Sequence, residues 1–151
     1  MFNAYDRAVP GSPRRPDLAA MLAPLLRELV AAEMPVLDEH ELTMWGYTVL
    51  LALDESPVRT QAALAEAIGA DKTRIIPVLD ELQERGFIER HADPDDRRVR
   101  LLAITDTGRA VKNAAQSAIQ RNEDRWLQKL SAEDRRAFLR GLTRLSRRPY
   151  A

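Results

Sequence analysis

The segment from residue 71 to residue 108 limits the possible folds more than any other part of this 151-residue chain. It begins with the helical pattern DKTRIIPVLDELQERG, continues as FIERHADPDDRRVRLLAIT and closes on DTG. This order predicts a helix, a strand, a turn rich in Asp and Arg, and a second strand. A recognition helix followed by a wing has this arrangement. The helix can enter the major groove of DNA while the hairpin tip reaches the neighbouring backbone or minor groove.

Helical apolar spacing precedes this segment. A first helix is predicted from Asp17 to about Met34 and Pro35, and the stretch ELTMWGYTVLLAL predicts a second helix that is apolar on nearly every side and therefore enclosed. Residues 59–68 predict the first helix of a helix-turn-helix, with Gly69 at its corner. The following helix has an inward stripe at the spacing i, i+3, i+4, i+7 that consists of Ile75, Val78, Leu79 and Leu82.

Two further helices are predicted after the wing. Thr105 is the expected N-cap of a long helix that runs to about Leu130, and residues 131–134 resemble a capping box that opens a last helix. On the long helix, Val111, Ala115, Ala118, Asn122 and Trp126 recur at intervals of three or four residues, and on the last helix Phe138, Leu142 and Leu145 make a single stripe. The fold class is therefore mainly α with a small β hairpin, a winged helix-turn-helix between long terminal helices.

Composition narrows the class of protein. The chain has no cysteine, which excludes disulfides and thiolate chemistry, and its 23 basic and 23 acidic residues give zero net charge. The longest apolar run, from Val49 to Leu53, is too short for a membrane span. We therefore expect a cytoplasmic protein that has one folded domain over residues 17–151, preceded by a flexible arm at residues 1–16 that is rich in proline.

The order of elements, the segment DELQERGFIER, the wing motif DPDDRRVRLLAIT and the DTG that follows resemble the multiple-antibiotic-resistance-regulator (MarR) family of bacterial transcription factors. The resemblance implies an obligate homodimer that binds double-stranded DNA, with a winged helix-turn-helix lobe at residues 57–105. It also implies that the helices at residues 17–35 and 106–148 interlock with those of the partner. Asp96 would orient Arg98, the arginine that enters the minor groove.

The terminal helices support a homodimer independently, because no remaining part of the chain could cover all of their apolar stripes. A twofold dimer places the two recognition helices roughly 34 Å apart, so the predicted target is an inverted repeat. A monomer that packs these stripes internally is the alternative.

The predicted DNA contacts fall into two groups. Near the start of the recognition helix they are Lys72, Thr73, Arg74 and Ile76, and on the wing they are Asp96, Arg97, Arg98 and Arg100. Ile76 and Pro77 occupy positions where polar residues are common in the family, so fewer hydrogen-bonded base contacts are expected. Ile76 could contact a thymine methyl group, or this face of the helix could be partly covered.

The resemblance further implies that a small aromatic or phenolic effector could release the DNA. The predicted lining residues are Met34, His40, Met44, Trp45 and Tyr47. The alternative is that these side chains belong to the core, which we expect for Trp45 in particular.

Other classes of function have little support in the sequence. His40 and His91 are the only histidines, and no catalytic constellation is visible, so neither an enzyme nor a cofactor is predicted. Asp93, Asp95 and Asp96 begin like a calcium loop, but the later ligand positions are wrong, so no metal site is predicted. The alternative function is a winged-helix protein-interaction module in which Ile76 and Pro77 dock onto a partner.

Overall fold

A computed structural model describes residues 15–56 and 59–146, and its elements follow the predicted order. Residues 1–14, which form most of the predicted arm, and residues 147–151 lie outside the described part. The described residues form six helices and three short strands: α1 (Leu18–Glu39), α2 (Met44–Glu55), β1 (Arg59–Thr60), α3 (Gln61–Ile68), α4 (Lys72–Glu84), β2 (Ile88–Ala92), β3 (Arg100–Ile104), α5 (Asp106–Leu127) and α6 (Ala132–Ser146).

Helix α2 lies at the centre of the fold, as its apolar sequence predicts. The Thr43 side chain caps its N-terminus by accepting a hydrogen bond from the Gly46 amide. Val49, Leu50 and Leu53 are completely buried, and α2 packs against α3, α4, α5 and β3. One helix thus joins the winged-helix lobe, defined here as β1, α3, α4, β2 and β3, to the long helix α5.

The lobe contains a strand that the sequence did not predict. Residues Arg59 and Thr60 form β1, which pairs antiparallel with β3 in a sheet of order β1, β3, β2. The prediction that a helix begins at Arg59 is therefore wrong. The helix begins at Gln61 with Thr60 as its N-cap, because pairing with β3 holds the two preceding residues extended. Strand β3 is consequently bonded on both edges.

Helix α1 is longer than its sequence predicts. It continues through Pro24 and Pro35 to Glu39, whereas the sequence predicted an end near Met34 and Pro35. A proline inside a helix removes one backbone donor and crowds the preceding turn, but it does not necessarily end the helix. Here the additional turn brings Leu37 into the core, where it is completely buried. The chain then leaves the helix through His40 and Glu41, whose φ is 54°.

Helix α5 begins at the predicted N-cap, because the Thr105 hydroxyl accepts from the Gly108 amide at 3.0 Å. Its buried residues are Gly108, Lys112, Ala115 and Ile119. Of the residues that recur at intervals of three or four along this helix, Ala115 alone is fully buried. Val111, Ala118, Asn122 and Trp126 are half-buried, because the side of α5 that contains Lys112 faces α2. The predicted cap of α6 is confirmed where the Ser131 hydroxyl accepts from the Asp134 amide.

Large apolar side chains remain exposed on the terminal helices. On α1 they are Leu18, Met21, Leu22, Leu26, Val30 and Met34, and on α6 they are Leu139, Leu142 and Leu145. Leu130, between α5 and α6, is exposed as well. Within the described ranges, no helix combines the length and the apolar character needed to cross a membrane.

Candidate nucleic-acid interface

The start of α4 is fixed by its own N-cap. Asp71 Oδ1 accepts hydrogen bonds from the Thr73 amide at 2.8 Å, from the Arg74 amide and from the Thr73 hydroxyl. These bonds, led by the one from the Thr73 hydroxyl, hold the pKa of Asp71 below its ordinary value. Gly69 turns the chain between α3 and α4 with a φ of 68°, which glycine adopts without strain. The helix-turn-helix corner is therefore built as predicted.

One side of α4 faces the core and the other is exposed. Ile75, Leu79 and Leu82 are buried, while Val78 is half-buried. The exposed residues in the first two turns are Lys72, Thr73, Arg74, Ile76 and Pro77. Farther along, the exposed residues include Asp80, Glu81 and Glu84. Because carboxylates repel phosphates, only the first two turns of α4 suit a nucleic-acid contact.

The wing is a tight loop between β2 and β3. The Asp93 amide donates to the Val99 carbonyl, and the Val99 amide donates to the Asp96 carbonyl, both at 2.9 Å. Asp96 Oδ1 accepts from both the amide and the Nε of Arg98, at 3.1 and 3.2 Å. The predicted pairing of Asp96 with Arg98 is confirmed. The Arg98 side chain is nevertheless 92% exposed.

The other two wing arginines are also exposed. Arg97 and Arg100 flank Arg98, and neither guanidinium has an ion-pair partner within residues 15–56 and 59–146. The wing therefore presents three arginines at one projecting tip, and only one of them is oriented by a carboxylate.

Arg90 joins the wing to α4, which sequence reasoning missed. From strand β2, its Nη1 donates to Asp80 Oδ1 at 2.7 Å and to Gln83 Oε1 at 2.8 Å, both on α4. Its Nε is buried without a hydrogen-bond partner in the described part of the chain. The guanidinium holds the hairpin and the helix together. The sequence signal that could have indicated this bridge is a charged residue inside a run of strand-forming residues.

A second network joins α2 to α5. Lys112 Nζ lies 2.5 Å from Asp54 Oδ2, and Arg109 Nε lies 2.9 Å from Asp54 Oδ1. Lys112 is 5% exposed. Hydrogen bonds from Lys112 and then from Arg109 lower the pKa of Asp54. Sequence reasoning did not identify these three residues, because each could equally have belonged to a solvated helix face.

The five predicted effector residues do not line one described cavity. Trp45 is 48% exposed, so the expectation that it belongs to the core is wrong. Trp45 lies in the first turn of α2, and its side chain lines a cavity of about 310 Å³ instead of packing in the core. That cavity is lined by Trp45, Gly69, Ala70, Asp71, Arg74, Ile75 and Val78.

The other four predicted effector residues lie on or near α1 and α2. Met34 is exposed, Met44 is half-buried, and His40 Nδ1 lies 2.8 Å from the Val36 carbonyl oxygen. Tyr47 is buried, and burial together with the charges of Glu33 and Glu123 raises its pKa to about 12. At neutral pH the Tyr47 hydroxyl is therefore protonated.

A separate open groove of about 810 Å³ runs between α1 and α5. In it Trp126 Nε1 donates to Glu28 at 3.1 Å, and the Arg125 guanidinium stacks over the Trp126 ring. Across the two described ranges, no three His, Cys, Asp or Glu residues are grouped so that they could hold a metal ion.

Comparison with known proteins agrees with this geometry. The MarR family model matches residues 42–99. The transcriptional regulator HosA of Escherichia coli O111:H- is 31% identical over 104 residues, which are 67% of this chain and 77% of HosA. This chain belongs to the MarR family. A second relative is a putative transcriptional regulatory protein for the hcr operon of Thauera aromatica. It is 32% identical over 101 residues, but the match spans only 61% of its length and 67% of this chain.

The fold is that of a solved MarR structure, which superposes with a TM-score of 0.76 at 29% identity and covers 89% of this chain and 92% of that one. The transcriptional repressor CouR, solved with a 23-mer DNA duplex, superposes with a TM-score of 0.72 at 31% identity, covering 87% of this MarR-family chain and 93% of the CouR chain. CouR from Rhodococcus jostii RHA1 has also been solved with p-coumaroyl-CoA. That structure gives a TM-score of 0.70 at 25% identity, with 89% and 95% of the chains covered.

Proposed function

We propose that this protein is a DNA-binding transcriptional repressor that acts as a homodimer on an inverted-repeat operator. The observation that carries the proposal is the pairing of Arg98 with Asp96 at the wing tip, because it directs an almost fully exposed guanidinium away from the protein. The negative potential of a narrow minor groove attracts such a group. Holding the side chain in advance reduces the conformational entropy lost on binding.

The two DNA-contacting elements would have different tasks. The first two turns of α4 would enter the major groove, with Lys72 and Arg74 available for phosphates or guanine edges. Arg97 and Arg100 would contact the backbone beside the minor groove that receives Arg98. The zero net charge of the chain is compatible with this division, since exposed cations are present at both places and the acidic end of α4 lies apart from them.

The homodimer proposal rests on the exposed apolar side chains of α1 and α6. Leu26 is 60% exposed and Leu145 is 82% exposed, and several neighbours on each helix share their face. Stripes of this length are typical of interfaces, and a second copy of the chain is the occupant that a twofold arrangement provides. Residues 17–35 and 106–148 would then form the dimer, with the winged-helix lobe, predicted at residues 57–105, projecting from it.

We also propose that a small aromatic or phenolic effector releases the DNA. The ligand with which CouR has been solved, p-coumaroyl-CoA, contains a phenolic ring and supports this class of molecule. The effector would use Met34, His40, Met44 and Tyr47 near the junction of α1 and α2. Trp45 lies in a separate cavity beside Arg74 and is not needed for that site. No catalytic step forms part of the proposal.

Selection of bound duplexes from a random DNA pool tests the proposed function. We expect enrichment of an inverted repeat whose half-sites are about one helical turn apart. Binding to that site should weaken steeply as salt is added, because neutralised phosphates release counterions. A pool without enrichment, or affinity that does not change with salt, would contradict DNA binding and favour the protein-interaction module.

The dimer and the effector have their own tests. Light scattering at micromolar concentration should give twice the mass of the 17.1 kDa chain. A thermal-shift screen of aromatic acids and their coenzyme A thioesters, followed by gel shifts with the selected operator, should identify a ligand that weakens DNA binding. A ligand that raises thermal stability without weakening DNA binding would contradict the release mechanism.

A further inference from the structure

We infer that α4 recognises thymine bases by their methyl groups, through an apolar patch formed by Thr73, Ile76 and Pro77. This inference rests on the proposed function, because it names the feature of DNA that the recognition helix would read. The three residues have the spacing i, i+3, i+4, so they share one side of the helix. All three are exposed in the first two turns of α4.

Ile76 is the central member of the patch. Its side chain is 41% exposed, although the residues of α4 that face the core are almost completely buried. Among the described residues of α4, it is the one large apolar side chain left exposed. The described part of the chain therefore leaves a substantial part of Ile76 open to contact.

The patch has little capacity for hydrogen bonding to bases. The Thr73 hydroxyl donates to Asp71 Oδ1, so its hydrogen is already used within the protein. Pro77 has no backbone donor, and Ile76 has an aliphatic side chain. Apart from the Thr73 oxygen, which can only accept a hydrogen bond, the remaining side-chain groups of the patch are aliphatic. Such a surface could not read guanine or adenine by the paired hydrogen bonds that Arg, Asn or Gln make.

The surroundings of the patch favour DNA as its occupant over a protein. Lys72 and Arg74 border the patch in sequence, and neither has an ion-pair partner in the described ranges. Farther along α4, the charge of Asp80 is paired with Arg90 at 2.7 Å. An apolar surface bordered by free cations fits a groove that has phosphates at its rims. The 5-methyl group of thymine is the apolar feature of the base edges there.

The inference predicts the composition of the operator. The base pairs opposite the patch should be A·T pairs whose thymine methyl groups point toward Ile76. Replacing thymine by deoxyuridine removes that methyl group and keeps every hydrogen-bonding group, so it isolates the proposed contact.

The experiment uses the operator obtained from the random pool. Thymines in both half-sites are replaced by deoxyuridine, one symmetric position at a time, and affinity is measured by fluorescence anisotropy at fixed salt. At the positions opposite Ile76 we expect binding to weaken about three- to fivefold for each methyl group removed. Deoxyuridine at positions outside the half-sites provides the control and should leave the affinity unchanged.

Protein variants assign the effect to Ile76. In Ile76→Ala the ratio between thymine and deoxyuridine operators should approach one, and Ile76→Thr, which keeps a branched side chain with one methyl group, should retain part of it. Circular dichroism and thermal unfolding establish that each variant is folded. If Ile76→Ala does not fold, the Thr variant supplies the same comparison.

The outcomes separate this inference from the proposed function. Tight, salt-dependent binding that is equal for thymine and deoxyuridine at every position would overturn the methyl contact and leave DNA binding intact. An unchanged thymine preference in both variants would overturn the role of Ile76. A random pool without enrichment would refute the proposed function itself.

Discussion

Lys112 Nζ lies 2.5 Å from Asp54 Oδ2, and this ion pair joins the second turn of α5 to the last turn of α2. Arg109, one turn earlier on α5, bonds the other oxygen of the same carboxylate. The lysine is buried, so the carboxylate replaces the water that its ammonium group would otherwise need. One carboxylate of α2 thus binds two cations of α5 and joins the long helix to the helix that packs against the winged-helix lobe.

Removal of the buried ammonium should destabilise the fold. Lys112→Met keeps most of the side-chain volume, leaves Asp54 with Arg109 alone, and should lower the free energy of unfolding by roughly 1–3 kcal/mol. Urea unfolding followed by circular dichroism measures the change. The double variant Lys112→Met, Asp54→Asn should recover part of the loss, since no unpaired charge remains. A single variant as stable as the parent would show that the ion pair contributes little.

The same carboxylate gives a prediction about pH. Because the pKa of Asp54 is lowered in the folded state from its ordinary 3.8, its ionised form stabilises the fold above that value. This contribution is lost as the pH falls through the lower, folded-state pKa. Burial raises the pKa of Glu33 and of Glu123, so these groups act in the opposite direction.

Comparison of the parent with Asp54→Asn separates the Asp54 contribution from those of the two glutamates. The difference in unfolding free energy between the two proteins should be largest at neutral pH and should shrink as the pH drops below the ordinary pKa of Asp. Urea unfolding at a series of pH values measures it. A difference that stays constant into the acid range would contradict the assignment.

Replacement of two helical glycines by alanine should have opposite effects on the stability of the fold. A Cβ at Gly108 would collide with the Phe87 carbonyl group, whereas a Cβ at Gly141 would meet nothing within 4 Å. Gly108→Ala should therefore lower the free energy of unfolding by about 2 kcal/mol or more, because rigid backbone would have to move. Gly141→Ala should instead raise the free energy of unfolding by roughly 0.5–1 kcal/mol, because alanine has the higher helix propensity. Thermal unfolding of both variants checks the contrast, and equal shifts would refute it.

The wing should contribute to DNA affinity without contributing to the fold. Arg98→Ala should weaken operator binding roughly tenfold and reduce the salt dependence by about one released ion per lost contact. Asp96→Ala should have a smaller effect in the same direction, since the guanidinium remains but is no longer held. Arg140→Ala, at an exposed site on α6, is the matched control. Anisotropy titrations at several salt concentrations provide the test, and equal affinities for parent and Arg98→Ala would remove the wing from the interface.

Arg90 should affect DNA binding only by fixing the position of the wing relative to α4. Arg90→Met removes the bonds to Asp80 and Gln83, so the wing and α4 can move relative to each other. We expect a loss of roughly 1–2 kcal/mol in stability and a several-fold loss in operator affinity. Arg90→Lys should recover part of both, since a single ammonium can reach one of the two acceptors. If affinity is unchanged although stability falls, Arg90 has a structural role only.

How much of this could be predicted depends on how far apart in sequence the interacting residues are. The cap of α5 spans three residues and was predicted from a local pattern. The pairing of Asp96 with Arg98 spans two residues and was predicted from the resemblance of the wing motif to the MarR family. The stripe of α4 was predicted because Ile75, Leu79 and Leu82 repeat with the helical period.

Interactions between distant segments were not predictable in the same way. Strand β1 has only two residues and exists because β3 pairs with it. The bonds of Arg90 to α4 and of Lys112 to α2 involve residues that look, in sequence, like members of solvated faces. Exposure of Trp45 likewise follows from how α2 packs against the lobe, and the apolar run around Trp45 did not indicate it.

The strand order has a consequence for the synthesis of the protein. Strand β3 is the middle strand, so β1 leaves the ribosome long before its partner and α3 lacks the sheet at its base until residues 100–104 follow. Strand pairs that are far apart in sequence form late in folding, because the long loop between them must be ordered first. A nascent chain that ends after the helix-turn-helix sequence would therefore contain the residues of the recognition helix but would lack the sheet that stabilises the folded lobe. Ribosome stalling or truncation before β3 should yield a product that is sensitive to proteases.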